Sequence, residues 1–118
     1  MTTEPSVRAR MAGTSLIVQL SGDIDYLTAS FFQDRLLEKI ALGRQRVVLD
    51  LDAVPFCDSA GLNVLVHAWQ QAKQTGAVLV LACAPQKLQR MLRMTGIDTL
   101  MPVYGTVAEA GLVDGNGA

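Results

Sequence analysis

Two short and almost wholly apolar runs, Val47 to Leu51 and Ala77 to Ala82, bracket a stretch from Ser59 to Thr75. Within that stretch Leu62, Leu65, Val66, Trp69 and Ala72 recur at helical spacing. Apolar side chains at successive positions of a strand mean that both of its faces are covered. A strand, a helix and a second strand in this order imply parallel pairing through a right-handed crossover. The chain therefore contains a βαβ unit, with Gly76 closing its helix, and every other element must join that sheet or pack on it.

The flanking segments fit that frame. Val7 to Met11 and Leu16 to Leu20 favour strands around the turn Ala12-Gly13-Thr14, which predicts an opening antiparallel hairpin. From Ala29 to Leu42, Phe32, Leu36 and Ile40 fall four apart on one face of a helix. Thr28 stands at its N-cap, Leu27 and Phe32 at the positions of a hydrophobic staple, and Gly43 at its C-cap. Pro85 suits the first turn of a third helix that buries Leu88, Met91 and Leu92, with Gly96 after its end. Leu100 to Val103 reads as a last short strand. Thr106 and Glu109 have capping-box spacing for a brief helix ending near Gly111, and Val113 to Ala118 is expected to fray. The expected architecture is α/β, a single domain over residues 1–118 with its core in 5–112. A mixed sheet of four to five strands carries about four helices.

Composition narrows the function. Half of the 118 residues are apolar and 18% are charged, a balance far from that of disordered chains. A formal net charge of -1 supplies no global field for phosphates or for a basic partner, so nucleic acid is not an expected ligand. The longest apolar run, Ala77 to Ala84, falls far short of the roughly 20 residues a bilayer crossing needs. The N-terminus, Met-Thr-Thr-Glu-Pro, has neither the charged nor the apolar region of a secretory signal, and the expected address is the cytoplasm. Cys57 and Cys83 suggest neither a disulfide framework nor a zinc site. They read as reduced, partly buried thiols, although adjacent parallel strands would bring them to one end of the sheet.

Catalytic readings fail in turn. A nucleophilic serine needs a base within hydrogen-bond reach, and the lone histidine, His67, follows Ser59 by eight residues, a rise of about 12 Å along a helix. His67 reads instead as a solvated helix-face residue. No GxSxG, GxxxxGK[ST], GxGxxG or HExxH motif is present. Asp23, Asp25, Asp50, Asp52 and Asp58 are numerous, but aspartates ahead of helices are ordinarily caps and turn formers. No enzymatic activity, cofactor or metal is expected.

The loop between the central strand and the second helix reads Pro55-Phe56-Cys57-Asp58-Ser59-Ala60-Gly61-Leu62. Its Asp-Ser-Ala-Gly-Leu resembles the Asp-Ser-[Ser/Thr/Ala]-Gly-Leu signature of STAS domains, particularly the bacterial anti-sigma factor antagonists. Leu20-Ser21-Gly22-Asp23-Ile24-Asp25 is similar to the Gly-Glu-Leu-Asp before the first helix of that family, with Asp23 in the Glu position. Leu92 to Ile97 resembles the family's apolar-x-x-x-Gly-[Leu/Ile] segment, so the likeness runs in order over nearly the whole chain. The resemblance implies a protein-binding switch. Ser59 would be the phosphoacceptor, and Asp23, Asp25, Asp58, Ser59, Ala60, Gly61 and Asn63 would meet the partner, an ATP-binding anti-sigma serine kinase. A phosphatase acting on phospho-Ser59 would reset the switch. The other reading is a STAS docking subunit of a lipid transporter or scaffold that is never phosphorylated. On the residues alone Ser59 is an ordinary N-cap, Trp69 a core residue, and Lys87, Arg90 and Arg93 a solvated helix face.

Overall fold

The computed structural model describes residues 4–115. Five strands form one sheet in the order β1-β2-β3-β4-β5: β1 (Ser6–Ala12), β2 (Ser15–Ser21), β3 (Arg46–Ala53), β4 (Val78–Ala82) and β5 (Val103–Tyr104). The first pair is antiparallel and every later pair parallel, so the sheet is mixed with β3 at its centre. Four α-helices connect or cover it: α1 (Ala29–Ile40), α2 (Ser59–Thr75), α3 (Gln86–Thr95) and α4 (Val107–Gly115). The opening hairpin turns through Gly13 and Thr14 alone, and Gly13 supplies the positive φ of 62° that such a tight reversal needs.

The strands alternate, and the two faces of the sheet are covered unequally. Leu16, Val18 and Leu20 of β2, Val47, Leu49 and Leu51 of β3, and Leu79 and Leu81 of β4 enter the main core against α1, α2 and α3. Phe32, Leu36 and Ile40 form the buried stripe of α1, each with no exposed surface. Burial of side chains this size contributes roughly 1.5–3 kcal/mol each. On the opposite face Ala110 of α4 closes over Ile17, Val48, Val80 and Ala82. Arg46 Nη1 donates to the Ala110 carbonyl at 3.2 Å, tying β3 to this helix. β3 is therefore buried on both faces through Leu49, beyond which Asp50 is half-buried and Asp52 exposed.

Several local expectations are corrected by the packing. Leu27 is 76% exposed and forms no staple with Phe32, and the α1 C-cap is Ala41, with Gly43 two residues later. Pro85 occupies the N-cap of α3 and not its first turn. Leu100 lies in the turn after a short 3-10 segment, Ile97–Thr99, and the final strand begins only at Val103. Glu109 and Thr106 do exchange capping-box hydrogen bonds, yet α4 continues past Gly111 to Gly115. Of the tail expected to fray, residues 116–118 lie outside the described residues. Trp69 is only half-buried, and the Lys73 ammonium sits 4.7 Å from its ring centroid.

Candidate functional site

The chain's chemistry concentrates where β2 and β3 end. Pairing continues past both strands: Gly22 N–H donates to Ala53 O at 2.9 Å, Ile24 N–H to Phe56 O at 2.9 Å, and Asp58 N–H to Ile24 O at 3.2 Å. Ile24 and Cys57 thus form an isolated parallel bridge, and both side chains are buried. By the two-residue period of extended chain, Asp23 and Asp25 on one loop and Phe56 and Asp58 on the other point away from that buried pair.

Asp58 is the residue that fixes the start of α2. Its backbone is extended, and its Oδ1 accepts from Gly61 N–H at 2.9 Å as an N-cap. Its Oδ2 accepts from Tyr26 N–H at 3.2 Å and so holds the other loop as well. Ser59 is consequently the first helical residue and not the cap. It is exposed, and among the described residues its hydroxyl has no hydrogen-bond partner. Asn63 lies one turn further along the same exposed face, while Ala60 is half-buried. Gly61 is buried, and a Cβ there would overlap the Ile24 carbonyl oxygen and stand 2.6 Å from Cys57 Sγ. The close approach that Gly61 permits is that of this chain's own backbone.

The second loop is built on Asp25 and Thr28. Asp25 Oδ1 accepts from the N–H groups of Leu27 (3.0 Å) and Thr28 (3.1 Å). The Thr28 hydroxyl donates to Asp23 O at 2.8 Å and accepts from Asp25 N–H at 3.0 Å. Thr28 stands at the N-cap of α1, but its side chain organises the preceding loop and bonds no N–H of the helix. The turn leaves Tyr26 and Leu27 each 76% exposed, and Phe56 across from them is 54% exposed. Sequence spacing assigns Leu27 to a staple and gives Tyr26 and Phe56 no role. The signal for Phe56 was its alternation with the buried Cys57, which turns a large aromatic neighbour outward.

The remaining candidates do not join the site. His67 lies on the exposed face of α2, with Nδ1 3.1 Å from Gln33 Oε1. Among the described residues no group of three His, Cys, Asp or Glu side chains is placed to hold a metal ion, and no helix is long and apolar enough to cross a membrane. Both cysteines are free. Burial, reinforced by the Asp58 charge, pushes the Cys57 thiol from 9.0 up to about 12. The half-exposed Cys83 is also raised, by burial first and then by Asp50. A negatively charged disulfide reagent at pH 8 is expected to modify Cys83 at least tenfold faster than Cys57. Comparable rates for the two, read by mass spectrometry of the peptides, would contradict this burial. Because the raised pKa belongs to the folded state, the Cys57 contribution to stability is intact below about pH 9. It declines as the pH rises from there towards 12.

The site thus consists of two paired loops and a helix start whose serine hydroxyl is exposed. The STAS domain family model matches residues 6–110, and the chain belongs to that family. It is 30% identical over 96 residues to the anti-sigma F factor antagonist of Paenibacillus polymyxa, covering 80% of this chain and 82% of that one. It superposes on an anti-sigma factor antagonist from Mycobacterium paratuberculosis with a TM-score of 0.81 at 27% identity, covering 93% of each chain. The fold is also that of the Bacillus cell fate determinant SpoIIAA in its phosphorylated form. There the TM-score is 0.67 at 15% identity, covering 89% of this chain and 96% of the other.

Proposed function

We propose that this protein is a cytoplasmic anti-sigma factor antagonist without enzymatic activity of its own. Its unphosphorylated form binds an ATP-dependent anti-sigma serine kinase and so frees a sigma factor. Phosphorylation of Ser59 abolishes that binding, and a phosphatase restores it. One observation carries the reading: the Ser59 hydroxyl is exposed and unbonded on the first residue of α2, because Asp58 has taken over the capping. The relatives named as antagonists, and a protein of the same fold solved in phosphorylated form, support it.

The placement suits a reversible phosphate. A phosphoserine adds about -1.5 to -2 charges at pH 7. The first turn of a 17-residue helix offers backbone N–H groups and the positive end of the helix dipole to receive it. The Asp58 cap is made by a separate side chain, so esterification of Ser59 removes no bond that holds the helix or the loops. The domain stays folded while its surface changes.

Incubation with ATP and the serine kinase fractionated from the source bacterium should add one phosphoryl group per chain, read by intact mass. Ser59→Ala should take none. Label that persists in Ser59→Ala, or a bound kinase that never labels the wild type, would overturn the proposal.

A further inference from the structure

The net charge of -1 conceals a local concentration of acidic residues on two segments. Residues 11–34 and 47–72 contain none of the ten Lys and Arg residues, yet hold Asp23, Asp25 and Asp34 in one segment and Asp50, Asp52 and Asp58 in the other. These two segments carry the β2–α1 and β3–α2 loops that frame Ser59. Lys39 near the end of α1, Arg44 and Arg46 just before and at the start of β3, and Lys73 near the end of α2 lie towards the opposite end of the sheet. Arg8 of β1 lines one cavity with Asp50, and Lys87 lies in the first turn of α3 just past β4, so basic side chains border the acidic loops only from the flanking elements. The reading from overall charge, that no acidic field awaits a basic partner, therefore fails locally.

Single exposed apolar side chains are normal on a soluble domain, and Met11, Leu42, Val78, Met94 and Leu100 are of that scattered kind. Tyr26, Leu27 and Phe56 are different. They sit on two loops locked together by Ile24 N–H to Phe56 O and by Tyr26 N–H to Asp58 Oδ2, next to the exposed hydroxyl. Asp23, Asp25 and Asp58 stand among them. Rigid aromatic anchors at the centre and charges at the rim are the anatomy of a protein interface.

Building on the proposed function, we propose that Tyr26, Leu27 and Phe56 are the anchor on which the kinase seats, through an apolar surface rimmed by Lys and Arg that matches Asp23, Asp25 and Asp58. The collar supplies the grip and the acidic rim the speed of encounter, while the Ser59 hydroxyl contributes little to affinity when unmodified. An enzyme that reaches Ser59 comes within one residue of the Asp58 carboxylate that holds the Tyr26 loop. A dianion at the centre of the collar must be stripped of water among apolar groups, and rim charges that remain solvated do not offset that cost.

The test uses the kinase purified through its labelling of Ser59, with Ser59→Ala as the non-reacting parent chain. Tyr26→Ser and Phe56→Ser on that parent should each weaken binding tenfold or more through faster dissociation, while circular dichroism and the melting temperature stay unchanged. Met94→Ser, equally exposed at 79% but remote from the acidic loops, should bind as the parent does. Asp23→Asn should slow association, and raising NaCl from about 0.05 to 0.5 M should slow the parent's association severalfold. Folded Tyr26 and Phe56 variants that bind like the parent, while wild type is still labelled on Ser59, would overturn this inference and leave the proposed function standing. Association that is indifferent to salt and to Asp23→Asn would overturn the charged rim. A kinase that labels Ser59 but shows no affinity for the unmodified parent would overturn both.

Discussion

Gly61→Ala is expected to destabilise the domain by about 3 kcal/mol, although alanine is the better helix former. Inside a helix that replacement ordinarily gains roughly 0.5–1 kcal/mol. Here the new methyl would overlap the Ile24 carbonyl oxygen and press on Cys57 Sγ at 2.6 Å, and neither neighbour is the free end of a flexible side chain. The carbonyl is held by the Asp58 N–H, and the thiol is buried. Relief requires α2 to lift from the β2–α1 loop, which stretches the Asp58 bonds to Gly61 and Tyr26 together. Overpacking against a well-packed interior costs about 1–3 kcal/mol and occasionally more. Contact with backbone places this site at the upper end. Urea unfolding followed by fluorescence would show it as a lowered midpoint with an unchanged slope. A midpoint equal to or above that of the wild type would mean that α2 does not rest on Ile24 as described. The same variant should present Ser59 less precisely, so its labelling by the kinase should slow as well.

The second large effect is on binding. Phosphorylation of Ser59 is expected to weaken association with the kinase by roughly 2–5 kcal/mol, the range for a charge left unpaired at an interface. That is about thirtyfold to several thousandfold in Kd. The carboxylate of Asp58 adjoins the modified residue, so the dianion enters a neighbourhood that is already negative. The second ionisation of a phosphoserine falls near pH 6. Below that pH the group is a monoanion, and part of the affinity should return as the pH drops from 7 to about 5.5. Unmodified protein should show no matching gain. Titration calorimetry of the stoichiometrically phosphorylated chain against the purified kinase decides the matter. Affinities within a factor of three for the two forms would rule out a switch at this residue.

The strand-helix-strand unit was legible because its evidence is periodic and local. Uninterrupted apolar runs give β3 and β4, the stripe from Leu62 to Ala72 gives α2, and Gly76 ends that helix with a positive φ. The loop around Ser59 was legible through its motif, which places a serine at the start of a helix with a glycine two residues later. The identity of the cap was not legible. Asp58 and Ser59 are both good N-cap residues, and propensity alone does not choose between neighbours. The choice falls to Asp58 because only it can also reach the Tyr26 N–H, a contact 32 positions away in the chain.

The errors elsewhere have the same origin. Spacing pairs Leu27 with Phe32, but Asp25 accepts from the Leu27 and Thr28 N–H groups and turns Leu27 outward. The apolar Leu100 and Met101 suggest a strand that starts three residues before β5 does. The α3 terminus at Gly96 instead runs into a 3-10 turn that buries Met101 and leaves Leu100 exposed. The charge division around the site vanishes in a sum over the chain, since it exists only once two separated acidic segments are folded side by side.

By itself the order of residues determined the kind of sheet, the helix that packs on it and the serine at their junction. Each of those follows from hydrophobic period and from backbone preferences acting within a few residues. Tertiary structure alone decided that this serine is left uncommitted, that Gly61 is indispensable to the approach of α2, and that the loops carrying Tyr26, Leu27 and Phe56 are held together beside α2. Those outcomes rest on hydrogen bonds and contacts between loops far apart in sequence, whose energies no local pattern encodes.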